Sequence, residues 1–213
     1  MDLVDKILNY HKSKPIRSFR EYNESGFHSV IELLLSSKSY VSEMRLIAEY
    51  KKDTYKYGFV DLFLLNTISG DSLVLEIKLL NLIGLYRGNE GFPITNPDYY
   101  ALEKLDKLLR TETEESLLNR KYMHWCKDSN RFKIVKVKKY IEDGVAQLNK
   151  YLNAVKNSKA SINSIRSGIL DSRVNIEDGT SYLRGFLIAS FGSHKILTKQ
   201  SKTKKINFKF DTN

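Results

Sequence analysis

Two apolar stretches decide the fold: Gly58-Phe59-Val60-Asp61-Leu62-Phe63-Leu64-Leu65 and Ser72-Leu73-Val74-Leu75-Glu76-Ile77-Lys78-Leu79. Each is short, strongly apolar and bounded by polar turn formers, so each reads as a strand. Thr67-Ile68-Ser69-Gly70 between them is turn-like and makes the pair a hairpin. With the turn centred between Ile68 and Ser69, paired positions sum to 137, and Asp61 falls opposite Glu76. Two carboxylates facing each other across a sheet repel, and a charge inside an apolar run is costly to bury without a partner. Lys78 follows Glu76 by two residues and shares its face. A divalent cation resolves the conflict. Mg²⁺ takes one or two carboxylates plus water and phosphate oxygens, acidifies the water and polarises the phosphoryl group, while a nearby ammonium stabilises developing negative charge. A Glu-x-Lys pair on a wet strand face is common, but the apolar neighbours here suit a central strand, and the upstream Asp sits at the matching position.

Working outward, Phe27, Val30, Ile31, Leu34 and Leu35 recur at helical spacing from Glu24 and end near Ser36–Ser39. A strand is expected over Arg45–Tyr50, then a polar turn over Lys51–Tyr57. Residues 81–133 read as an irregular insertion, with helical stretches over about 98–110 and 114–126. Residues 135–157 form the clearest helix, since Val137, Ile141, Val145, Leu148, Leu152 and Val155 make a core-facing stripe. Gln147 and Tyr151 flank that stripe four residues apart, so they stack on one side. Tyr182–Phe191 reads as a buried strand, extended or followed by His194–Thr198. From about Lys199 a basic tail is expected to be loosely held, or to add an edge strand over Ile206–Phe210. The whole is an α/β layer plan in a single domain of 213 residues.

Composition narrows the function. Hydrophobic residues make up 41% of the chain, enough for a folded core. No apolar run is long enough to span a bilayer, and no secretory signal pattern opens the chain. The single cysteine, Cys126, excludes an internal disulfide and a cysteine-rich zinc site, and fits an intracellular compartment. The net charge is +10 and uneven: residues 120–160 carry +8 and residues 193–213 carry +5. Charge gathered in two segments is the footprint of a polyanion-binding face, or the solvated surface of a Lys-rich protein.

Taken together, Glu24, the Gly58-x-x-Asp61 strand, Glu76-x-Lys78 and Gln147-x-x-x-Tyr151 resemble the PD-(D/E)xK nuclease superfamily, in the RecB-like branch with a Gln-x-x-x-Tyr helix. The resemblance covers Glu24 to about Asn157. It implies a restriction-endonuclease-like fold, a mixed central sheet flanked by helices. It implies Asp61 and Glu76 as ligands of Mg²⁺, with Mn²⁺ as a substitute, and Lys78 as the catalytic lysine acting on the attacking water. Gln147 and Tyr151 would support the site. Glu24 would be the helix glutamate, with Glu32 and Glu49 as other candidates. Many relatives have Gly-Arg-x-Asp where this chain has Phe59, which leaves a phosphate contact unaccounted for. The implied activity is metal-dependent hydrolysis of nucleic acid, DNA ahead of RNA, with no membrane partner. The alternative is an inactive nucleic-acid-binding or effector module on the same fold. His28, a conceivable general base, reads as a packing or surface residue, and His124 with Cys126 lacks further metal-type partners; Tyr99 and Tyr100 are candidates to stack on bases.

Overall fold

In a computed structural model of the chain, the two deciding stretches are adjacent antiparallel strands, β2 (Thr54–Leu64) and β3 (Ser72–Leu80). Their register pairs Leu62 with Leu75, Phe63 with Val74 and Leu64 with Leu73, each summing to 137 as the sequence requires. The turn centre at Ile68 and Ser69 lies outside the described residues. The structure describes residues 3–20, 22–35, 40–51, 54–65, 70–86, 96–126, 129–157 and 168–212, the side chains of 49–51, 54–55 and 212 excepted.

Before this hairpin come α1 (Leu3–Lys12), a 3₁₀ turn (Ile16–Phe19), α2 (Glu24–Leu34) and β1 (Tyr40–Lys51). The side chain of Asn23 caps α2 by accepting from the Gly26 amide at 2.8 Å. After it come α3 (Leu82–Leu85), α4 (Tyr99–Thr111), α5 (Glu114–Asn119), β4 (Lys121–Cys126), β5 (Arg131–Lys136) and α6 (Val137–Lys156). The chain ends through β6 (Gly168–Ile169), β7 (Val174–Phe191), β8 (Lys195–Gln200) and β9 (Lys204–Thr212). Among the described residues, seven strands make a mixed central sheet with the order β6-β1-β2-β3-β7-β8, and β9 also pairs with β7. β4 and β5 form a separate two-stranded ribbon.

Four expectations change. The polar turn expected over Lys51–Tyr57 is strand instead at Lys51, the end of β1, and from Thr54, where β2 begins. The segment expected to be irregular, 81–133, holds three capped helices and one strand of the ribbon: Asn81, Asp98 and Thr113 each accept a backbone amide at the start of a helix. The expected helix over 114–126 stops at Asn119, and Lys121–Cys126 is a strand instead. The basic tail is not loosely held. It forms β8 and β9, and Ile206 and Phe210 of β9 are buried at 2% and 1% exposure, so the edge-strand alternative holds.

The chain divides into two compact units. The first comprises Met1–Ser36, Ile77–Asp143 and Ala189–Leu197. Its core gathers Ile7, Phe27, Ile31, Leu80, Leu102 and Leu109. His11 is buried among Phe19, Tyr22 and Phe27, with ring centroids 5.2 to 5.7 Å away, and its Nε2 lies 3.3 Å from the Tyr22 hydroxyl. Burial, with the His194 charge adding to it, holds the His11 pKa down to about 4. Buried Asp106 of α4 accepts from the Ser193 amide at 2.8 Å and from the Ser193 hydroxyl. Gly192, at φ 57, is required there, because a Cβ would run into Asp106.

The second unit comprises Ser37–Glu76, Gly144–Ile188 and Thr198–Asn213. Met44 and Leu46 of β1 lie opposite Val60 and Gly58 of β2, and all four are buried. Phe63 meets Phe210 edge-on at 5.1 Å. Leu148 and Leu152 of α6 pack over Gly185 of β7.

Candidate metal and nucleic-acid site

The observed register ends at Leu62–Leu75; Asp61 and Glu76 are the next residues on their strands, and strand alternation puts both on the Phe63–Val74 face. Glu76 is fully buried and Asp61 half-buried. Among the described residues no three His, Cys, Asp or Glu side chains gather into a metal-type cluster. Asp61 and Glu76 alone would offer an ion two carboxylates. That fits Mg²⁺ or Mn²⁺, which complete their shells with water and phosphate oxygens, and does not fit a structural zinc site, which needs four protein ligands.

The same face of β2 carries Tyr57 and Phe59, 45% and 48% exposed, on the approach to Asp61. Arg45 of β1 lies directly opposite Phe59 and stacks its guanidinium over Tyr57, 4.3 Å from the ring centroid. Arg45 thus puts a cation beside Phe59. Sequence reasoning missed Arg45, and the only signal was the β1–β2 register. Glu43, exposed and at φ 50, stands between the pairs Ser42–Leu62 and Met44–Val60, in the β1 position facing Asp61. A positive φ at a non-glycine residue costs backbone energy.

On α6, the Gln147 amide donates to the Tyr151 hydroxyl at 3.0 Å, as the four-residue spacing requires. The Tyr151 ring lies against Gly58, where a Cβ would stand 2.6 Å from Cε1. Gly58 and Asp61 are three residues apart in a regular strand, so they point to opposite faces of β2. The structure thus joins Gln147 and Tyr151 to the glycine of Gly58-x-x-Asp61 rather than to its aspartate.

In the first unit, the Lys78 ammonium, 13% exposed, lies 3.6 Å from Glu24 at the first turn of α2. The other oxygen of Glu24 accepts from the Leu79 amide at 3.4 Å. Glu24 is therefore the helix glutamate that reaches β3. Glu32 instead lies 3.7 Å from His28 on its own helix, and the side chain of Glu49 falls outside the described residues. His124 stacks with Tyr122 and meets Tyr140 edge-on, a packing role. Tyr99 lies under the Arg20 guanidinium, and Tyr100 is 77% exposed. No helix among the described residues is long and apolar enough to cross a membrane. Compared with known family models, curated proteins and solved structures, the chain matches none.

Proposed function

We propose that the chain is a Mg²⁺-dependent nuclease of the PD-(D/E)xK type acting on nucleic acid, with DNA favoured over RNA and Mn²⁺ as a substitute ion. The observation that carries this reading is the Leu62–Leu75 register, which leaves Asp61 and fully buried Glu76 as the next residues on one face of β2 and β3, with Lys78 two residues beyond Glu76. Asp61 and Glu76 would hold the ion. When bound, such an ion supplies an acidified water and a polarised phosphoryl oxygen. Burial keeps Glu76 away from competing water and strengthens its pull on a cation. The ion pair with Glu24 at 3.6 Å would hold the Lys78 ammonium in place, so that it can orient a water or a phosphate oxygen. Arg45 offers a phosphate the contact that Phe59 does not.

The test is cleavage of plasmid and linear DNA, and of RNA, by the purified chain with Mg²⁺ or Mn²⁺. Asp61→Asn, Glu76→Gln and Lys78→Ala should each reduce cleavage by about a hundredfold or more, in line with loss of one electrostatic contact to the transition state. Cleavage that survives Asp61→Asn and Lys78→Ala would overturn the proposal. A second reading, a binding module without turnover, is favoured by Phe59 standing where many relatives carry the arginine. It would show metal-independent binding and no cleavage under any of these conditions.

A further inference from the structure

The ribbon of β4 and β5 belongs to the first unit and has two unlike faces. Its register pairs Lys121 with Lys136, Met123 with Ile134, and Trp125 with Phe132 on one face. Tyr122 with Val135, His124 with Lys133, and Cys126 with Arg131 lie on the other. The second face seats the ribbon. Tyr122 is buried, its hydroxyl donates to the Leu79 carbonyl at 3.4 Å, and its ring passes close over Gly84 of α3. Gly84 leaves room for this crossing, since a Cβ would meet the Tyr122 ring at 2.5 Å.

The first face has no such role. Trp125, Phe132 and Ile134 are 49%, 58% and 50% exposed, and Lys121 and Lys136 are exposed at its other end. Trp125 and Phe132 meet edge-on, with centroids 5.1 Å apart and planes at 78°. That arrangement leaves ring faces open that a stacked pair would cover. The two strands contribute Lys121, Arg131, Lys133 and Lys136 and no carboxylate. Exposed aromatic rings beside cations, with no acidic residue among them, are complementary to unpaired bases on a phosphate backbone: the rings take the bases and the cations take the phosphates. An interfacial membrane element would call for a broader apolar face than these few side chains present.

We propose that the β4–β5 ribbon is a binding site for single-stranded nucleic acid, in which Trp125 and Phe132 stack on bases while Lys121 and Lys136 contact phosphates. This deepens the nuclease reading by naming unpaired strand as the substrate class, and it rests on that reading only for the purpose of the contact. Binding at the ribbon needs no metal.

Trp125 is the only tryptophan in the chain, so its emission reports this site alone. The experiment titrates oligothymidylate into the full-length protein with EDTA present and follows tryptophan emission, alongside an equal-length duplex and anionic lipid vesicles. The expected result is saturable quenching by the single strand, weaker quenching by the duplex and attenuation by salt. By anisotropy with a labelled oligonucleotide, Trp125→Ala should weaken binding about ten- to a hundredfold, the range for loss of one stacked base. Trp125→Phe should restore most of it, which a purely structural role for the indole would not require. Unchanged emission on adding oligonucleotide overturns the proposal, as does equal affinity in Trp125→Ala. A blue shift with vesicles and no response to the oligonucleotide overturns it in favour of a membrane surface. Metal-dependent cleavage scored in parallel separates the two readings. Cleavage without quenching removes the ribbon site alone, and quenching without cleavage removes the nuclease alone.

Discussion

A methyl group added at Gly58 would stand 2.6 Å from Cε1 of Tyr151 and 3.2 Å from its Cζ. Tyr151 is only 9% exposed, so its ring has little room to retreat. Gly58→Ala should therefore destabilise the protein by about 1–3 kcal/mol through overpacking, measured by urea denaturation. In a Tyr151→Ala background the same change should be nearly neutral, because the two residues share one contact. His11 gives a second expectation. Its folded pKa lies near 4, below the ordinary value of 6.5. Between those two values the unfolded chain binds the extra proton, so stability rises with pH through that window and is flat above it. Acidification from pH 6.5 to 4 should cost on the order of 3 kcal/mol from this residue, and His11→Phe should flatten that part of the profile.

Asp106 ties one element to another: α4 holds the turn between β7 and β8 through the Ser193 amide and hydroxyl. Asp106→Ala leaves buried Ser193 groups without their acceptor and should cost about 2–4 kcal/mol, seen as a lower urea midpoint at unchanged slope. At the hairpin of β1 and β2, Arg45→Ala should lower kcat/KM for nucleic acid about tenfold, as expected for one charge-assisted phosphate contact, while leaving the fold intact. Elements differed in how plainly the sequence announced them. The β2–β3 register was legible because turn formers and apolar runs fix it to the residue, and α6 was legible from its 3.6-residue stripe. The ribbon was not. Leu117, Leu118, Tyr122 and Trp125 can be read at helical spacing, and nothing local says that α5 ends at Asn119. What decides it is Tyr122 finding a seat over Gly84, a contact between residues 38 positions apart. The tail was misjudged as loose because its lysines dominate the composition, while the buried Ile206 and Phe210 need β7 beside them to show their purpose. Of the candidate site residues, strand alternation put Asp61, Glu76 and Lys78 on one face. The sequence put Glu24 ahead of Glu32, and the turn of α2 that meets β3 is the one that carries Glu24.

Across the whole molecule, a net charge of +10 and a pI near 9.4 favour any polyanion, so affinity alone is a weak test of specificity. Salt dependence is sharper. On single-stranded DNA each neutralised phosphate contributes about 0.7 to the slope of log affinity against log salt. Lys121→Ala or Lys136→Ala should each reduce that slope by about this amount, whereas Asp61→Asn should not reduce it. One indole and one thiol occupy adjacent positions on the ribbon, Trp125 and Cys126, and the chain has no other of either. Both of the customary intrinsic probes therefore look at a single corner of the protein. A melt followed by tryptophan emission measures how long that ribbon stays seated on Gly84. Circular dichroism follows the remaining helices and strands. A transition seen by emission at lower denaturant than by dichroism would mean that the ribbon detaches as its own cooperative segment while the rest of the chain stays folded.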